Sequence, residues 1–183
     1  MEASTKYLPR VERDFYPTPD RLIQSYLSLG HPDRPNIDMF DSILEPCCGD
    51  GAILNPLRER FANVKGTDIT MGDRYDATKQ SYWTDCCDWV ISNPPFNCAV
   101  DIINNALLNS RKGVIMLLRA SFLEPCKNRR HLLNGKISHI TYVNPRPRFR
   151  TDTDGTDSST VIFIAWAKKK VTPQINFLTD WHQ

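Results

Sequence analysis

One run constrains the fold of this chain more than any other: Gly113-Val114-Ile115-Met116-Leu117-Leu118, which carries no polar side chain. A strand with one face in water alternates apolar and polar residues, and this run does not alternate. It is expected to be a strand buried on both faces, which requires a layer of helices on each side of its sheet.

The remaining segments supply that frame. Ser42-Ile43-Leu44-Glu45 is a short strand-like run halted by Pro46, Asn63 to Asp68 reads as a second strand, and Asp88 to Ser92 as another, ended by Asn93-Pro94-Pro95-Phe96. Leu22, Ile23, Tyr26, Leu27 and Leu29 share one face of a helix, with Thr18 the expected N-cap and Pro19 its first residue. Ala52 to Phe61 and Ala99 to Ser110 read as further helices, and Phe122 to Leu133 as a weaker one. The irregular stretch from Ile69 to Asp88 is expected to hold a short strand at Tyr75-Asp76-Ala77. Strands at 136–143 and 160–167 are joined by a loop with no room for a crossover helix, so they should run antiparallel. The expectation is an α/β fold: a Rossmann-like doubly wound sheet of about seven strands, mostly parallel, with an antiparallel last strand.

At 183 residues the chain is expected to form a single domain. Residues 1–16 read as an N-terminal arm and 145–159 as a mobile substrate loop, with no separate target-recognition domain. Lys and Arg total 23 against 21 Asp and Glu, a net charge of +2, so any grip on nucleic-acid phosphates must be local. The six cysteines form no C-x-x-C pair and have no His at ligand spacing, which points to reduced thiols and no metal. No apolar stretch approaches the roughly 18 residues of a spanning helix, and the first 15 residues are too charged for a signal peptide. A cytoplasmic protein without a membrane partner is the expectation.

In an open α/β sheet, ligands bind beyond the carboxyl ends of the strands, where the strand order reverses. Three unusual features fall at such ends. Glu45-Pro46-Cys47-Cys48-Gly49-Asp50-Gly51 follows the first strand, with glycines that let a ligand approach the backbone and an acid that suits a cationic or amine-bearing group. The turn lacks the Lys-Ser pair or third glycine of a phosphate loop. Asp68 ends the next strand, about 20 residues beyond the glycine turn, where a carboxylate can take both hydroxyls of a ribose. Asn93-Pro94-Pro95-Phe96 holds two backbone carbonyls rigidly, beside an amide oxygen and an aromatic face, which suits a planar group bearing an NH2.

With these residues in place, the chain resembles the class I S-adenosylmethionine-dependent methyltransferases that methylate amines, and most of all the DNA adenine-N6 methyltransferases. Phe15-Tyr16-Pro17-Thr18-Pro19 is similar to their N-terminal cofactor motif, Glu45 to Gly51 to their glycine motif, and Asn93 to Phe96 to their catalytic tetrapeptide. The resemblance covers roughly residues 14 to 167. It implies S-adenosyl-L-methionine as cofactor, with Thr18, Glu45, Pro46, Gly49 and Gly51 around its methionine part, Asp68 at the ribose, and Asp76 or Asp85 at the adenine. Arg146-Pro147-Arg148-Phe149-Arg150 resembles a later motif, which implies Phe149 stacking on the target base opposite Phe96, and Arg146, Arg148 and Arg150 on the substrate.

The implied reaction places the adenine amine between Asn93 Oδ1 and the Pro94 carbonyl, with the base flipped from a duplex or taken from a single strand. The implied partner is nucleic acid, DNA before RNA, and the implied source is bacterial or phage. With so little chain beyond the catalytic core, target recognition is expected to be weak or to need a homodimer or partner subunit. Competing readings are adenine methylation of RNA, glutamine methylation of a protein, and an idle methyltransferase-like binding module. Protein-glutamine methyltransferases usually carry Tyr after Asn-Pro-Pro. Cytosine carbon-5 methylation is disfavoured, because Pro46-Cys47 lies in the cofactor turn and Pro125-Cys126 follows the wrong strand. Asp152, Asp154 and Asp157 depart from calcium-loop spacing.

Overall fold

The computed structural model describes residues 18–147 and 159–182. The all-apolar run lies in β4 (Ser110–Arg119), where Val114 to Leu118 are at most 1% exposed. On one side β4 pairs in parallel with β3 (Cys87–Ser92), and on the other it meets β6 (Val161–Ala167) antiparallel. Beyond β3 lie β1 (Ser42–Glu45) and then β2 (Asn63–Gly66); beyond β6 lie β5 (His139–Val143) and then β7 (Gln174–Leu178). The order is β2-β1-β3-β4-β6-β5-β7, and β6 alone opposes the direction of the rest.

Alternation along β4 feeds two cores. Ile115 and Leu117 pack with Leu22, Ile23, Tyr26 and Leu27 of α1 (Asp20–Ser28) and Leu57 of α2 (Leu54–Arg60). Val114, Met116 and Leu118 pack with Ile102, Ile103 and Ala106 of α3 (Ala99–Asn109) and Leu132 of α4 (Arg130–Leu133). At the amino edge of the sheet, Asp88 accepts from Ser42 N (2.9 Å), Ser42 Oγ (2.8 Å) and Arg111 Nε (2.9 Å), which clamps β1, β3 and β4 together. The Arg111 guanidinium holds this carboxyl well below the usual carboxylate range.

The doubly wound α/β architecture and the antiparallel pairing of the two expected late strands are both present. Three details differ. Residues 75–77 form no strand: 69–82 is a series of 3-10 turns, because Asp68 and Asp76 accept from the backbone of Thr70 (2.9 Å) and Thr78 (3.1 Å) and satisfy it locally. The seventh strand is β7 instead, so the antiparallel strand is β6, the last but one. The N-cap of α1 is Pro19 rather than Thr18, and no side chain caps the helix.

Gly113 sits where three strands converge. A Cβ there would lie 2.4 Å from the Trp166 carbonyl oxygen and 2.7 Å from the Trp89 ring. The backbone of β6 cannot retreat without breaking its ladder with β4. Gly113→Ala is therefore expected to cost at least about 2 kcal/mol of folding stability. Urea denaturation measures it, and an unchanged midpoint would contradict the packing described.

Candidate active site

The carboxyl ends of β1, β2, β3 and β4 all point to one edge, and the chain leaves β1 towards β2 on one side before returning to β3 on the other. That reversal opens the crevice where an α/β sheet binds ligands. Glu45 closes β1 and is 1% exposed. The backbone beyond it folds back on itself: Cys48 N donates to Thr67 O (2.9 Å) and Thr67 N to Glu45 O (2.9 Å), so the glycine turn is tied to the end of β2. Gly49 and Gly51 have φ of 47° and 95°, a left-handed region that other residues adopt at a cost.

Asp68 completes this half of the site. Its Oδ2 accepts from Gly49 N (3.1 Å), while Oδ1 accepts from Thr70 N (2.9 Å) and Thr70 Oγ1 (2.8 Å). Two residues that the spacing linked are thus in direct contact. Glu45 Oε2, by contrast, is buried without a hydrogen-bond partner. Burial first, then the charges of Asp68 and Asp50, pushes the Glu45 carboxyl up to about 9. A buried carboxyl oxygen with no donor fits an ammonium group that would supply one.

The second half stands at the end of β3, the strand next to β1. Asn93 Nδ2 donates to Thr18 Oγ1 (3.1 Å), which places Oδ1 on the opposite arm of the amide. Thr18 is buried, so the residue expected to cap α1 spends its hydroxyl on the catalytic candidate. The Pro95 carbonyl accepts from Cys98 N (3.2 Å), and among the described residues none donates to the Pro94 carbonyl. Phe96 is half-buried, and the Arg119 guanidinium lies over its ring at 4.3 Å from the centroid. Arg119 was not anticipated from the sequence. Its signal was an arginine directly after the apolar run 113–118, on the same edge as the motifs.

The two candidates for the cofactor adenine are placed differently. Asp76 follows β2, but its Oδ1 accepts from Thr78 N (3.1 Å) and Thr78 Oγ1 (2.6 Å), and its Oδ2 pairs with Lys79 Nζ (3.2 Å). Asp85 precedes β3 at the amino edge, about 20 Å of strand from Asn93. It pairs loosely with Lys65 at 3.9 Å and is not brought to the site. Arg146 is exposed just beyond β5, on the same edge as Asn93. Phe15, Tyr16, Pro17, Arg148, Phe149 and Arg150 lie outside the described residues. Among the described residues no cluster of His, Cys, Asp or Glu could hold a metal ion, and no helix is long and apolar enough to cross a membrane.

The structural neighbours are class I S-adenosylmethionine-dependent methyltransferases, and the chain shares their fold. A class I S-adenosylmethionine-dependent methyltransferase of Listeria monocytogenes, itself assigned provisionally, matches 97% of this chain and 70% of its own at a TM-score of 0.60 and 16% identity. The modification subunit of a provisionally assigned type I restriction enzyme from Vibrio vulnificus matches 87% of this chain at a TM-score of 0.59 and 12% identity, and the chain spans 45% of that subunit. An RNA methyltransferase of Pyrococcus horikoshii, again provisional, matches 88% of this chain and 90% of its own, at 0.54 and 14%. No protein-family model and no curated protein matches the sequence.

The state of Glu45 has a measurable consequence. In the unfolded chain it loses its proton near 4.5, whereas in the folded protein it keeps it to about 9. The unfolded state therefore binds fewer protons across this window, and the folded state loses ground as pH rises. Glu45→Gln removes the penalty. Its stability relative to the wild type is expected to improve steadily from about pH 5 to pH 9. A difference in urea midpoint that stays constant over that range would contradict the buried, proton-bearing carboxyl.

Proposed function

We propose that this protein transfers the methyl group of S-adenosyl-L-methionine to the N6 amine of adenine in DNA. The observation that carries the proposal is the Asn93 amide held by Thr18 beside the Pro94 carbonyl, across the crevice from the glycine turn. When bound, the cofactor supplies an electrophilic methyl group on a good leaving group. Glu45 would receive its ammonium, Gly49 and Gly51 would let its methionine part approach the backbone, and Asp68 would accept from its ribose. Asp76, which follows β2, would be the acid for its adenine once Thr78 and Lys79 yield.

The substrate half works through acceptors. The lone pair of an exocyclic adenine amine is delocalised into the ring. Donating its two N–H bonds to Asn93 Oδ1 and the Pro94 carbonyl pyramidalises the nitrogen and localises that pair towards the methyl group. Pro94 and Pro95 have fixed φ, so the acceptors keep their positions without reorganising as charge develops. Positioning and these dipoles carry the rate; the thioether leaves, and the methylated nitrogen, now cationic and strongly acidic, gives up one proton to water without a strong base. Phe96 supplies a stacking face, and the base reaches it by flipping or from a single strand. The likeness to a restriction-modification subunit supports DNA as the substrate, and partner subunits like those of that system would provide target recognition.

Asn93→Ala is expected to lower methyl transfer by at least about 100-fold while leaving cofactor affinity largely intact. Asp68→Ala should weaken cofactor binding first, with turnover at saturation less affected. Radiolabelled cofactor offered duplex DNA, single-stranded DNA, RNA and protein in parallel, followed by calorimetric titration of each variant, checks both. Label in RNA or protein alone would replace the substrate, and Asn93→Ala retaining more than a few per cent of turnover would remove the catalytic assignment.

A further inference from the structure

The guanidinium of Arg119 occupies one face of Phe96, at 4.3 Å from the ring centroid. That separation is van der Waals contact, so nothing planar fits between them. Arg119 is the final residue of β4, pairs with Val161 at the start of β6, and is half-buried. Ala120 N donates to Thr160 O (2.8 Å), which anchors the backbone there. A guanidinium carries five N–H donors in a fixed fork, and among the described residues no carboxylate, carbonyl or hydroxyl accepts from any of them. A half-buried cation on the aromatic of the tetrapeptide, with no acceptor among the described residues, is suited to an anionic ligand.

We propose that Arg119 is a substrate-binding residue that covers Phe96 in the free protein and binds a backbone phosphate of the target nucleotide once the base takes its place. This rests on the reading of Phe96 as the stacking face. The two roles share one geometry: the flipped base needs the face that the guanidinium covers, and the cation–π contact is a weak one that stacking can replace. The phosphate of the same nucleotide arrives with the base and offers paired oxygens to the fork. Lysine keeps the charge but not the planar stack or the bidentate grip, so the exchange is specific to arginine.

The test uses the whole chain with S-adenosylhomocysteine bound, so that binding is read without turnover. Affinity for a single-stranded adenine-containing DNA oligonucleotide is measured across a salt series for the wild type, Arg119→Gln and Arg119→Lys, with circular dichroism and cofactor affinity as checks on folding. The wild-type slope of log affinity against log salt should exceed that of Arg119→Gln by about one phosphate contact, with Arg119→Lys close to the wild type in slope. In turnover assays Arg119→Gln should raise KM about 10-fold with kcat within a few-fold, and Arg119→Lys should recover only part of that loss. Equal slopes and equal KM for Arg119→Gln and wild type overturn the proposal while the methyltransferase reading stands. An Arg119-dependent slope with no methyl uptake by adenine supports Arg119 and overturns that reading. Failure of the wild type to bind any oligonucleotide overturns both.

Discussion

The structure depends on the burial of β4 on both faces. Five successive residues, Val114 to Leu118, are at most 1% exposed, so neither face of the central sheet can carry polar groups without losing the core. Helices must cover each side, and chemistry is driven to the ends of the strands. At the amino end the polar groups satisfy one another: Asp88 with Ser42 and Arg111, and Asp41 with Lys112 and the Trp89 indole. At the carboxyl end Asp68 meets Gly49 and Thr70, and Asn93 meets Thr18, but two groups stand apart. Glu45 keeps an oxygen without a donor, and Arg119 rests on an aromatic ring. One end is built for stability, and the other leaves polar groups that a ligand can satisfy.

What was legible in the sequence follows from that constraint. β4 has to be read from its own composition, and β1 and β3 are marked by Pro46 and by Asn93-Pro94, which forbid continuation. The glycine turn and Asp68 are linked by spacing, and their contact through Gly49 N and Oδ2 is the physical form of that link. Other elements carry no such mark. β7 has a single buried residue, Leu178, with Ile175 and Phe177 exposed, so its composition resembles a terminal tail and only pairing with β5 makes it a strand. Asp68 and Asp76 turn 69–82 into 3-10 turns by bonding nearby amides, an outcome that strand-like residues at 75–77 do not reveal. Thr18 illustrates a different limit. A hydroxyl before a helix can cap it or serve a distant partner, and only the fold brings Asn93 within 3.1 Å.

The net charge of +2 conceals how charge is arranged along the carboxyl edge. In sheet order the ends of β2 and β1 carry Asp68, Glu45 and Asp50, the end of β3 carries the neutral acceptors of Asn93 and Pro94, and the ends of β4 and β5 carry Arg119 and Arg146. From β2 to β4 the crevice thus grades from acidic through dipolar to basic across adjacent strands about 5 Å apart. The proposed reaction needs that order. Its methyl donor brings an ammonium and a sulfonium, its amine is neutral until the methyl arrives, and its substrate backbone is anionic. On the proposed reading each group would meet a complementary field where it binds, and the two ends would discourage reversed binding. Burial first, and then the neighbouring charges of Asp68 and Asp50, explain why Glu45 holds a proton before a cation arrives. On the proposed reading a bound ammonium would reverse that balance and couple cofactor binding to ionisation of Glu45.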